Sequence, residues 1–556
     1  MDKNINGDNM LNELKEIIKK GIFEVVTNLG YVDETVIKNK EDIILEIPKE
    51  KEHGDYSTNT AMRLAKIAKK RPLEIANEIV SRLDWKKLNL SNVEIAGPGF
   101  INLTIDKAYL LKIILKINEE KENYGNSNFG KNEKICLEFV SANPTGYLHV
   151  GHGRGAAYGD SLARIMRKVG YDVHKEHYVN DAGNQIINMA YSVYERYKEL
   201  FGFHIEMKED YYFGKEIIQV AEEIKDEYGD RFLNNFDLDF FKSYGTEKLL
   251  GNLKKDLKKF NVEFDTWFSE KSLYETKEVE NVLANLKKQG YTYQKDGALW
   301  LKTTDYGDEK DRVIIKSDGS YTYLLPDIAY HANKLSRGYH HLIDVLGADH
   351  HGYIHRLKAA VSMVGGNLID VEILQMVRVI EDGVEVKMSK RSGKAITLID
   401  LIDDVGTDAL RYFYVAKSLS THMDLDLDLM KQKSNDNPVF YAQYAYARIC
   451  SIFKNGIDFI PVEEFNEIDI DSIKDICLVL LQYPNVLLEV AEKRLVHKLT
   501  HYIDDLAYQL HSYYNDQKVI TDNKQLVMEK LTVLLAIKIV LKDSLTLIGV
   551  STPEKM

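Results

Sequence analysis

The sequence predicts an α/β fold: a parallel, doubly wound sheet, preceded by a small α/β unit and followed by an all-helical one. Two observations lead to this prediction. From about residue 133, short apolar strand-like stretches alternate with helical patterns, which is typical of a parallel sheet covered by helices. From Thr397 onward, apolar residues recur at helical spacing almost without interruption.

The order of these patterns divides the chain into four predicted parts. They are a small α/β domain (1–110), a Rossmann-like sheet domain (125–400) with a helical insertion at about 190–320, connecting helices (401–436) and a helical domain (437–556). The first part has a helical pattern from Met10 to Leu29 and strand-like stretches at 43–47 and 93–95.

The predicted sheet domain is built from elements of alternating type. In order they are a strand at 135–140, a loop at 141–153, a helix ending at Val169, strands at 171–179 and 342–346, a helix at 351–364 and a strand at 373–380. Ligands bind outside the carboxyl ends of such strands. We therefore expect functional residues directly after strands 135–140 and 342–346.

Composition is that of a large globular protein, with 44% hydrophobic and 29% charged residues. The apolar runs are too short to span a bilayer, and the N-terminal segment lacks the apolar core of a secretory signal. Cys136, Cys450 and Cys477 are too widely separated for a zinc site or a disulfide framework. We therefore predict a cytoplasmic protein without a resident metal site. The net charge of −13 argues against a protein that coats nucleic acid non-specifically.

Two histidines, His149 and His152, lie where the chain leaves a strand and begins a helix. Backbone N–H groups at a helix N-terminus bind anions, and imidazole N–H groups can donate to phosphate oxygens as negative charge builds up. Gly151 and Gly153 lack a Cβ and so permit close approach of a phosphate or an adenine ring. With the preceding Asn-Pro-Thr-Gly (143–146), this arrangement predicts a nucleotide site.

A Lys-Met-Ser-Lys segment, Lys387 to Lys390, lies between a strand-like stretch and a helix, with Gly383 and Gly393 as flanking hinges. Ammonium groups act as point charges that can follow a triphosphate from the ground state to the transition state. Together with the histidines, the segment predicts an enzyme that activates a substrate with ATP.

Seven longer segments carry a family resemblance. They are GDYSTN (54–59), GPGFINL (97–103), SANPTGYLHVGHGR (141–154), YVNDAGNQI (178–186), YLLPDIAYH (323–331), LGADHHGY (346–353) and VGTDALRYFYV (405–415). They resemble the class I aminoacyl-tRNA synthetases and, within these, the arginyl-tRNA synthetase family over nearly the whole chain. The resemblance implies that arginine is activated with ATP, releasing pyrophosphate, and then transferred to the 2′-OH of the terminal adenosine of tRNA(Arg). Mg²⁺ is expected with ATP.

The resemblance also assigns site residues. His149 and His152 are expected to act on ATP and its transition state, and Lys387 and Lys390 on the leaving pyrophosphate. The ATP site is expected to include Pro144, Thr145, Gly146, Gly151, His149, His152, Met388, Ser389 and Lys390. The arginine site is expected to include Glu138, Ser141, Asn143, Tyr323, Asp327 and Asp349. Carboxylates suit a guanidinium because they accept its paired hydrogen bonds.

The helical domain resembles the family's anticodon-binding domain, and the first part resembles its tRNA-elbow-binding module. Lys493, Arg494, His497, Lys498 and His501 recur at i, i+1, i+4, i+5 and i+8, which predicts one helical stripe along RNA phosphates, with tyrosines nearby to stack on bases. We predict tRNA contacts from Lys493, Arg494, Lys498 and Tyr513. The enzyme is expected to be a monomer.

Three alternatives remain open from the motifs alone. Cysteinyl-, glutamyl- and methionyl-tRNA synthetases share both motifs, although a cysteinyl enzyme needs a zinc-binding set that three scattered cysteines cannot supply. A small adenylyltransferase of the pantothenate synthetase kind would be far shorter. An inactive tRNA-binding paralogue would carry degenerate motifs, and both motifs are intact here.

Overall fold

The structure is a computed structural model that describes residues 10–48, 50–366, 368–386, 396–454 and 459–556. The elements of its first unit are α1 (Met10–Asn28), β1 (Tyr56–Thr58), α2 (Thr60–Ala68), α3 (Pro72–Val80), β2 (Leu90–Ala96), β3 (Phe100–Ile105) and α4 (Lys107–Glu120). The strands form an antiparallel sheet in the order β1–β3–β2. The predicted helix from Met10 is confirmed. The predicted strand at 43–47 is wrong, because only Ile43 is buried there while Ile44 and Ile47 are exposed.

The second unit contains the long sheet domain and its connecting helices. Its elements are β4 (Lys134–Glu138), α5 (Val150–Lys168), β5 (Asp172–Val179), α6 (Asn184–Glu199), α7 (Lys215–Tyr228), α8 (Leu238–Lys259), β6 (Thr266–Ser269), α9 (Glu270–Glu275), α10 (Glu278–Lys288), β7 (Thr292–Lys295), β8 (Ala298–Leu301), β9 (Arg312–Ile315), α11 (Leu324–Ser336), β10 (His341–Gly347), α12 (Ile354–Met363), β11 (Leu368–Leu374), β12 (Val377–Glu381), β13 (Val384–Glu385), α13 (Leu398–Val405), α14 (Thr407–Val415), β14 (Met423–Asp426) and α15 (Leu427–Lys431).

Five parallel strands form the central sheet in the order β11–β10–β4–β5–β6. The first of them in the chain, β4, lies in the middle, and later strands are added on both sides. The sheet is therefore doubly wound, with its switch point between β4 and β10. The strand β4 is buried except at Lys134, as expected for a strand with helices on both faces. The predicted fold class is confirmed.

Three predicted boundaries need correction. The strand β6 lies inside the range predicted as an insertion, because its four half-buried residues form no recognisable apolar run. The predicted strand at 373–380 is two strands, since β11 belongs to the central sheet and β12 pairs with β14 in a separate one. The predicted helix at 351–364 begins as a 3₁₀ turn, Ala348–Tyr353, before α12.

The third unit is helical, as predicted, and is tied to the sheet domain by one buried arginine. Its elements are α16 (Pro438–Phe453), α17 (Lys474–Lys493), α18 (His497–Asp516) and α19 (Lys524–Leu547). Arg411 on α14 donates to Asp160 Oδ2 on α5 at 2.8 Å and to the Ile548 carbonyl after α19 at 2.8 Å. Among the described residues, no helix is long and apolar enough to cross a membrane.

One buried histidine of the sheet has a ring without a hydrogen-bond partner among the described residues. Both ring nitrogens of His177 on β5 lack a partner among the described residues. The ring stacks on Trp267 of β6, with centroids 4.4 Å apart and an interplanar angle of 25°. Burial lowers the pKa of His177 to about 3, so the ring stays neutral in the folded protein.

The neutral ring makes the stability of the sheet domain depend on pH. The unfolded chain takes up a proton on this histidine as pH falls below ~6.5, and the folded chain does not. Stability is therefore lost as pH falls from about 6.5 towards 3, by at most ~1.4 kcal/mol per pH unit. We expect His177→Phe to reduce the loss of Tm between neutral pH and about pH 5, measured by calorimetry. His204→Phe, at an exposed position, should keep the wild-type loss. An undiminished loss in His177→Phe would contradict this origin.

Candidate active site

The chain turns sharply where β4 ends. Val140 and Ser141 have φ angles of 70° and 40°, in the left-handed region that side chains, and β-branched ones above all, rarely adopt. Ser141 Oγ donates to Glu138 Oε1 at 2.8 Å and accepts from the Tyr178 backbone N–H at 3.1 Å. This turn places Glu138 and Ser141, two predicted arginine-site residues, together at the carboxyl edge of β4 and β5.

The two histidines of the motif form a unit at the start of α5. His149 caps the helix, with its Nδ1 accepting from the Gly151 N–H at 3.1 Å. The His149 N–H donates to His152 Nδ1 at 3.2 Å, and the ring centroids lie 3.7 Å apart. Because each Nδ1 accepts a hydrogen bond, each neutral ring carries its proton on Nε2. The site thus offers two Nε2–H donors at a helix N-terminus, where anions bind.

The loop that precedes the histidines holds three more of the residues predicted for ATP, Pro144, Thr145 and Gly146. Pro144 and Thr145 are buried, and the Thr145 N–H donates to the Asn143 carbonyl at 2.8 Å. The Asn143 side-chain amide donates to Gln185 Oε1 at the start of α6. A Cβ at Gly146 would lie 2.8 Å from Glu216 Oε1. The loop is therefore held closely between β4, α6 and α7.

The two motif glycines differ in their surroundings. A Cβ at Gly151 would meet only the His149 ring, at 3.1 Å. A Cβ at Gly153 would lie 2.8 Å from both the Tyr414 hydroxyl and Leu398 Cδ1. The prediction that Gly153 serves the approach of a phosphate is therefore wrong, because it serves the packing of α13 and α14 on α5.

Lys387, Met388, Ser389 and Lys390 lie outside the described residues. Thr397 and Leu398, further along the chain, contact the histidine motif. Thr397 and His149 form an antiparallel bridge, and the Leu398 N–H donates to the Leu148 carbonyl at 2.7 Å. The start of α13 therefore lies against the histidine motif.

Two further residues predicted for the arginine site, Tyr323 and Asp327, lie at the start of α11. Tyr323 precedes this helix and is 86% exposed, while Asp327 lies in its first turn. The Tyr353 hydroxyl donates to Asp327 Oδ2 at 2.6 Å. Asp349, in the 3₁₀ turn after β10, is exposed, with His350 Nε2 3.7 Å from its Oδ2. Asp349 thus follows the carboxyl end of β10, as predicted.

Behind this edge lies a buried row of charges. Three carboxylates occupy paired positions on neighbouring strands: Asp344 on β10, Glu138 on β4 and Glu176 on β5. Lys334 on α11 places its Nζ 2.6 Å from Glu138 Oε2 and 2.9 Å from Asp344 Oδ1. Arg337, one turn later, donates to both oxygens of Glu176. Burial raises the pKa of Glu138, although Lys334 opposes it.

One acid of the site was missed in the sequence. Glu270 is the first residue of α9 and follows β6 directly, so it lies at the same carboxyl edge. Burial is the largest cause that raises the pKa of Glu270, and the charges of Asp181 and Asp327 raise it further. Hydrogen bonds with the hydroxyls of Tyr178 and Tyr274 oppose this rise. The sequence signal for Glu270 would have been its position directly after the short strand β6.

The residues predicted to contact tRNA do not form one helical stripe. Lys493 ends α17, Arg494 is left-handed at φ 57°, and α18 begins only at His497, so Lys498 lies on a different helix from Lys493. Arg494 Nε donates to Glu372 Oε1 on β11 at 2.5 Å. This side chain therefore joins the helical domain to the sheet domain. Tyr513 is 4% exposed and cannot stack on a base. The prediction of a stripe and that for Tyr513 are wrong.

A doubly wound sheet with a histidine pair at the start of a helix, in a chain whose sequence also carries Lys-Met-Ser-Lys, defines a class I aminoacyl-tRNA synthetase. Three family models match: "Arginyl tRNA synthetase N terminal domain" over 12–105, "tRNA synthetases class I (R), catalytic domain" over 113–419 and "DALR anticodon binding domain" over 442–556. The chain belongs to the arginyl-tRNA synthetase family.

Individual relatives agree with this assignment. Arginine–tRNA ligases from Bacillus pumilus and Bacillus subtilis are each 49% identical to this chain, covering 99% of it and 100% of the relative. The Thermus thermophilus arginyl-tRNA synthetase structure has a TM-score of 0.73 at 19% identity, covering 98% of this chain and 100% of its own, and so supports the fold. The predicted arginine–tRNA ligase activity is confirmed, and the cysteinyl, glutamyl and methionyl alternatives fall away.

The packing of α5 yields a paired mutational test. We expect Gly153→Ala to destabilise the enzyme by about 1–3 kcal/mol and to lower kcat, because the new Cβ displaces Tyr414 and Leu398 beside the histidines. Gly155→Ala is the matched control, since its Cβ would meet only Leu374 Cδ2 at 3.6 Å and helix propensity favours alanine by up to about 1 kcal/mol. Urea unfolding and aminoacylation rates measure both. Equal behaviour of the two variants would contradict the packing role.

Proposed function

We propose that the enzyme binds the guanidinium of arginine between Asp327 and Glu270 and binds ATP at His149 and His152. The observation that carries this proposal is an imbalance of charge among the described residues at the carboxyl edge of the sheet. The acids at or behind that edge include Asp327, Asp344, Glu138, Glu176 and Glu270, with Asp181 near Glu270 and exposed Asp349 beyond β10. The basic groups paired with these acids are His331, Lys334 and Arg337, with His174 Nε2 3.8 Å from Glu176 Oε2. A bound guanidinium adds positive charge where it is lacking.

The contacts indicate which carboxylates meet the substrate. Lys334 and Arg337 already neutralise the inner acids Glu138 and Glu176. Asp327 bonds to the Tyr353 hydroxyl and shares one cation, His331, with Asp344, while Glu270 bonds to the hydroxyls of Tyr178 and Tyr274. A guanidinium presents five N–H donors in a plane, so two carboxylates along its edges suit it better than they suit a lysine ammonium. We assign Glu138 a supporting role, because Ser141 and Lys334 donate to its two oxygens.

The remaining predicted arginine ligands suit the other end of the substrate. Asn143 uses its amide N–H toward Gln185, so it can offer its Oδ1 to the α-ammonium group. Ser141 acts through Glu138 and the strained turn. Exposed Tyr323 and Asp349 lie at the rim, where they can close over arginine and ATP.

The chemistry follows from this placement. The arginine carboxylate attacks the α-phosphate of ATP and pyrophosphate leaves, while the Nε2–H groups of His149 and His152 donate to phosphate oxygens as negative charge builds up. Lys387 and Lys390 are assigned to the pyrophosphate. ATP enters as its Mg²⁺ complex, since phosphate oxygens are ligands that Mg²⁺ prefers. The 2′-OH of the terminal adenosine then attacks the arginyl carbonyl and AMP leaves.

An aromatic surface on the helical domain suits unpaired tRNA bases better than the predicted stripe does. Phe440 and Tyr444 on α16 stack at 6.1 Å with an interplanar angle of 7°, and Tyr444 stacks on His511 of α18 at 5.7 Å. Tyr508 on α18 is 61% exposed. Stacked, exposed rings bind bases without needing a basic helix. We assign the anticodon loop to this surface.

We also propose the division of labour predicted from sequence: tRNA-elbow binding in 1–110, catalysis in 125–400, connection in 401–436 and anticodon binding in 437–556. One chain carries every proposed part of the site, which supports a monomer. Its three buried cysteines are unpaired, in keeping with translation in a reducing cytoplasm.

The arginine assignment is tested by pyrophosphate exchange with tRNA present. We expect Asp327→Asn and Glu270→Gln each to raise KM for arginine at least about tenfold, because each removes a charged hydrogen bond of ~1.5–3 kcal/mol. KM for ATP should stay near the wild-type value. A parallel rise in both KM values would remove these residues from the guanidinium site. Exchange with another amino acid would refute the substrate itself.

The tRNA assignment is tested by aminoacylation kinetics. We expect Tyr508→Ala and Tyr444→Ala to raise KM for tRNA by about fivefold or more, since base stacking contributes ~1–3 kcal/mol per base. KM for arginine should not change. Phe203→Ala is the control, because Phe203 is as exposed as these tyrosines but lies in the helical insertion. Wild-type KM for tRNA in both tyrosine variants would place the anticodon elsewhere.

A further inference from the structure

His331 lies directly behind the proposed guanidinium site, on α11 one turn after Asp327. Its side chain is 2% exposed. Its Nδ1 lies 2.8 Å from the Asp327 backbone carbonyl oxygen and 3.1 Å from Asp327 Oδ1, and its Nε2 lies 2.9 Å from Asp344 Oδ2. The ring therefore joins two acids from opposite sides.

These contacts determine where the ring protons lie. A backbone carbonyl oxygen can only accept, so Nδ1 carries a hydrogen. Asp344 accepts from Lys334 through its other oxygen, at 2.9 Å; despite burial, Lys334 and His331 hold the pKa of Asp344 well below its usual range. An ionised carboxylate also only accepts, so Nε2 carries a hydrogen as well. With both nitrogens donating, the ring is an imidazolium.

The groups around the ring agree with a positive charge. They are Asp327, Lys334 and Tyr330 on α11, Asp344 on β10, Glu138 on β4 and Tyr353 before α12. Burial and the Lys334 charge lower the pKa of His331, but Asp327 and Asp344 outweigh them and raise it to about 10. The ordinary titration of histidine near neutral pH is thereby removed.

We propose that His331 is a positioning residue: anchored on Asp344 as an imidazolium, it holds the Asp327 carboxylate in the orientation that accepts the guanidinium of arginine. This inference rests on the proposed role of Asp327. The Tyr353 hydroxyl holds Oδ2 at 2.6 Å while His331 holds Oδ1, so the carboxylate plane is set from both ends. A fixed plane is what paired hydrogen bonds to a planar guanidinium require.

The kinetic test compares His331→Gln, Asp327→Asn and the double variant in pyrophosphate exchange. Glutamine keeps a donor and removes the charge. We expect His331→Gln to raise KM for arginine about tenfold, equivalent to ~1.4 kcal/mol, with KM for ATP within about twofold of wild type. Adding His331→Gln to Asp327→Asn should produce little further rise, because His331 acts through Asp327. Additive effects, or equal rises in both KM values, would overturn the proposal.

The role of His331 and the role of Asp327 are distinguished by the single variants. If Asp327→Asn raises KM for arginine and His331→Gln does not, only the positioning role is lost. If Asp327→Asn itself has no effect, the guanidinium site is misplaced and the positioning role falls with it.

A matched control stands at the other end of the same strand. His341 begins β10 and also lies between two acids, with Nε2 2.9 Å from Asp370 Oδ2 and Nδ1 3.2 Å from Glu133 Oε1. It is at the amino edge of the sheet, away from the site. We expect His341→Gln to keep the wild-type KM for arginine. A rise equal to that of His331→Gln would overturn the proposal, since it would reflect any loss of a histidine between acids.

A spectroscopic measurement on the unaltered enzyme tests the proposal even if the variants fail to fold. In enzyme with isotopically labelled histidine, the His331 ring signals are identified by their contacts with the Tyr330 ring, whose centroid lies 5.4 Å away. We expect imidazolium signals that stay constant from about pH 6 to about pH 8, across the ordinary histidine titration. Signals of a neutral imidazole in that range would overturn the proposal.

Discussion

The arrangement of the site depends on pairing a buried row of carboxylates with the cations of α11. The row comprises Asp344, Glu138 and Glu176, which are register partners on adjacent strands. A buried charge left without a partner costs several kcal/mol, so these strands are stable together only when α11 lies across them with Lys334 and Arg337 in place. Once α11 is fixed in this way, its first turn must present Asp327 at the carboxyl edge. The position of the proposed guanidinium site is thus a consequence of how the sheet buries charge.

A second buried acid is paired with cations where the helical domain meets the sheet domain. Asp160 lies on α5, the helix that His149 caps, and meets Arg411, Arg164 and Lys175 at 2.8–2.9 Å. Although burial raises the pKa of Asp160, these three cations lower it overall, so the acid is ionised. Because Arg411 also donates to the carbonyl that follows the last helix, the helical domain and the histidine helix share one buried charge. The helical domain is therefore joined to the histidine helix through a buried ion pair.

Local patterns predicted the long elements and the motif-bearing loops, because apolar periodicity and turn chemistry are local properties. They failed where contacts between residues far apart in the chain determine the structure. The strand β6 is four half-buried residues that form a strand only because β5 lies beside them. The stripe from Lys493 to His501 looked continuous, yet Arg494 is drawn into the left-handed region, with its guanidinium held by Glu372 of β11. Tyr513 carries no mark in the sequence to distinguish it from exposed Tyr508, since burial depends on which face of α18 meets the other helices.

The same limit explains why the acids of the site divide into two groups that sequence cannot separate. Glu138 ends the short strand β4 and Glu270 follows the short strand β6, but only Glu138 meets Lys334, a residue far along the chain. A carboxylate neutralised by a buried ammonium can shape a pocket without adding to its charge. The acids proposed to meet the substrate are Glu270, which bonds to tyrosine hydroxyls, and Asp327, which shares His331 with Asp344. Selection of arginine then needs both a negative excess and a fixed carboxylate plane, because an excess alone would attract lysine as readily. Lys334 and Arg337 limit the excess at the back of the site, and His331 with Tyr353 fixes the plane at the front.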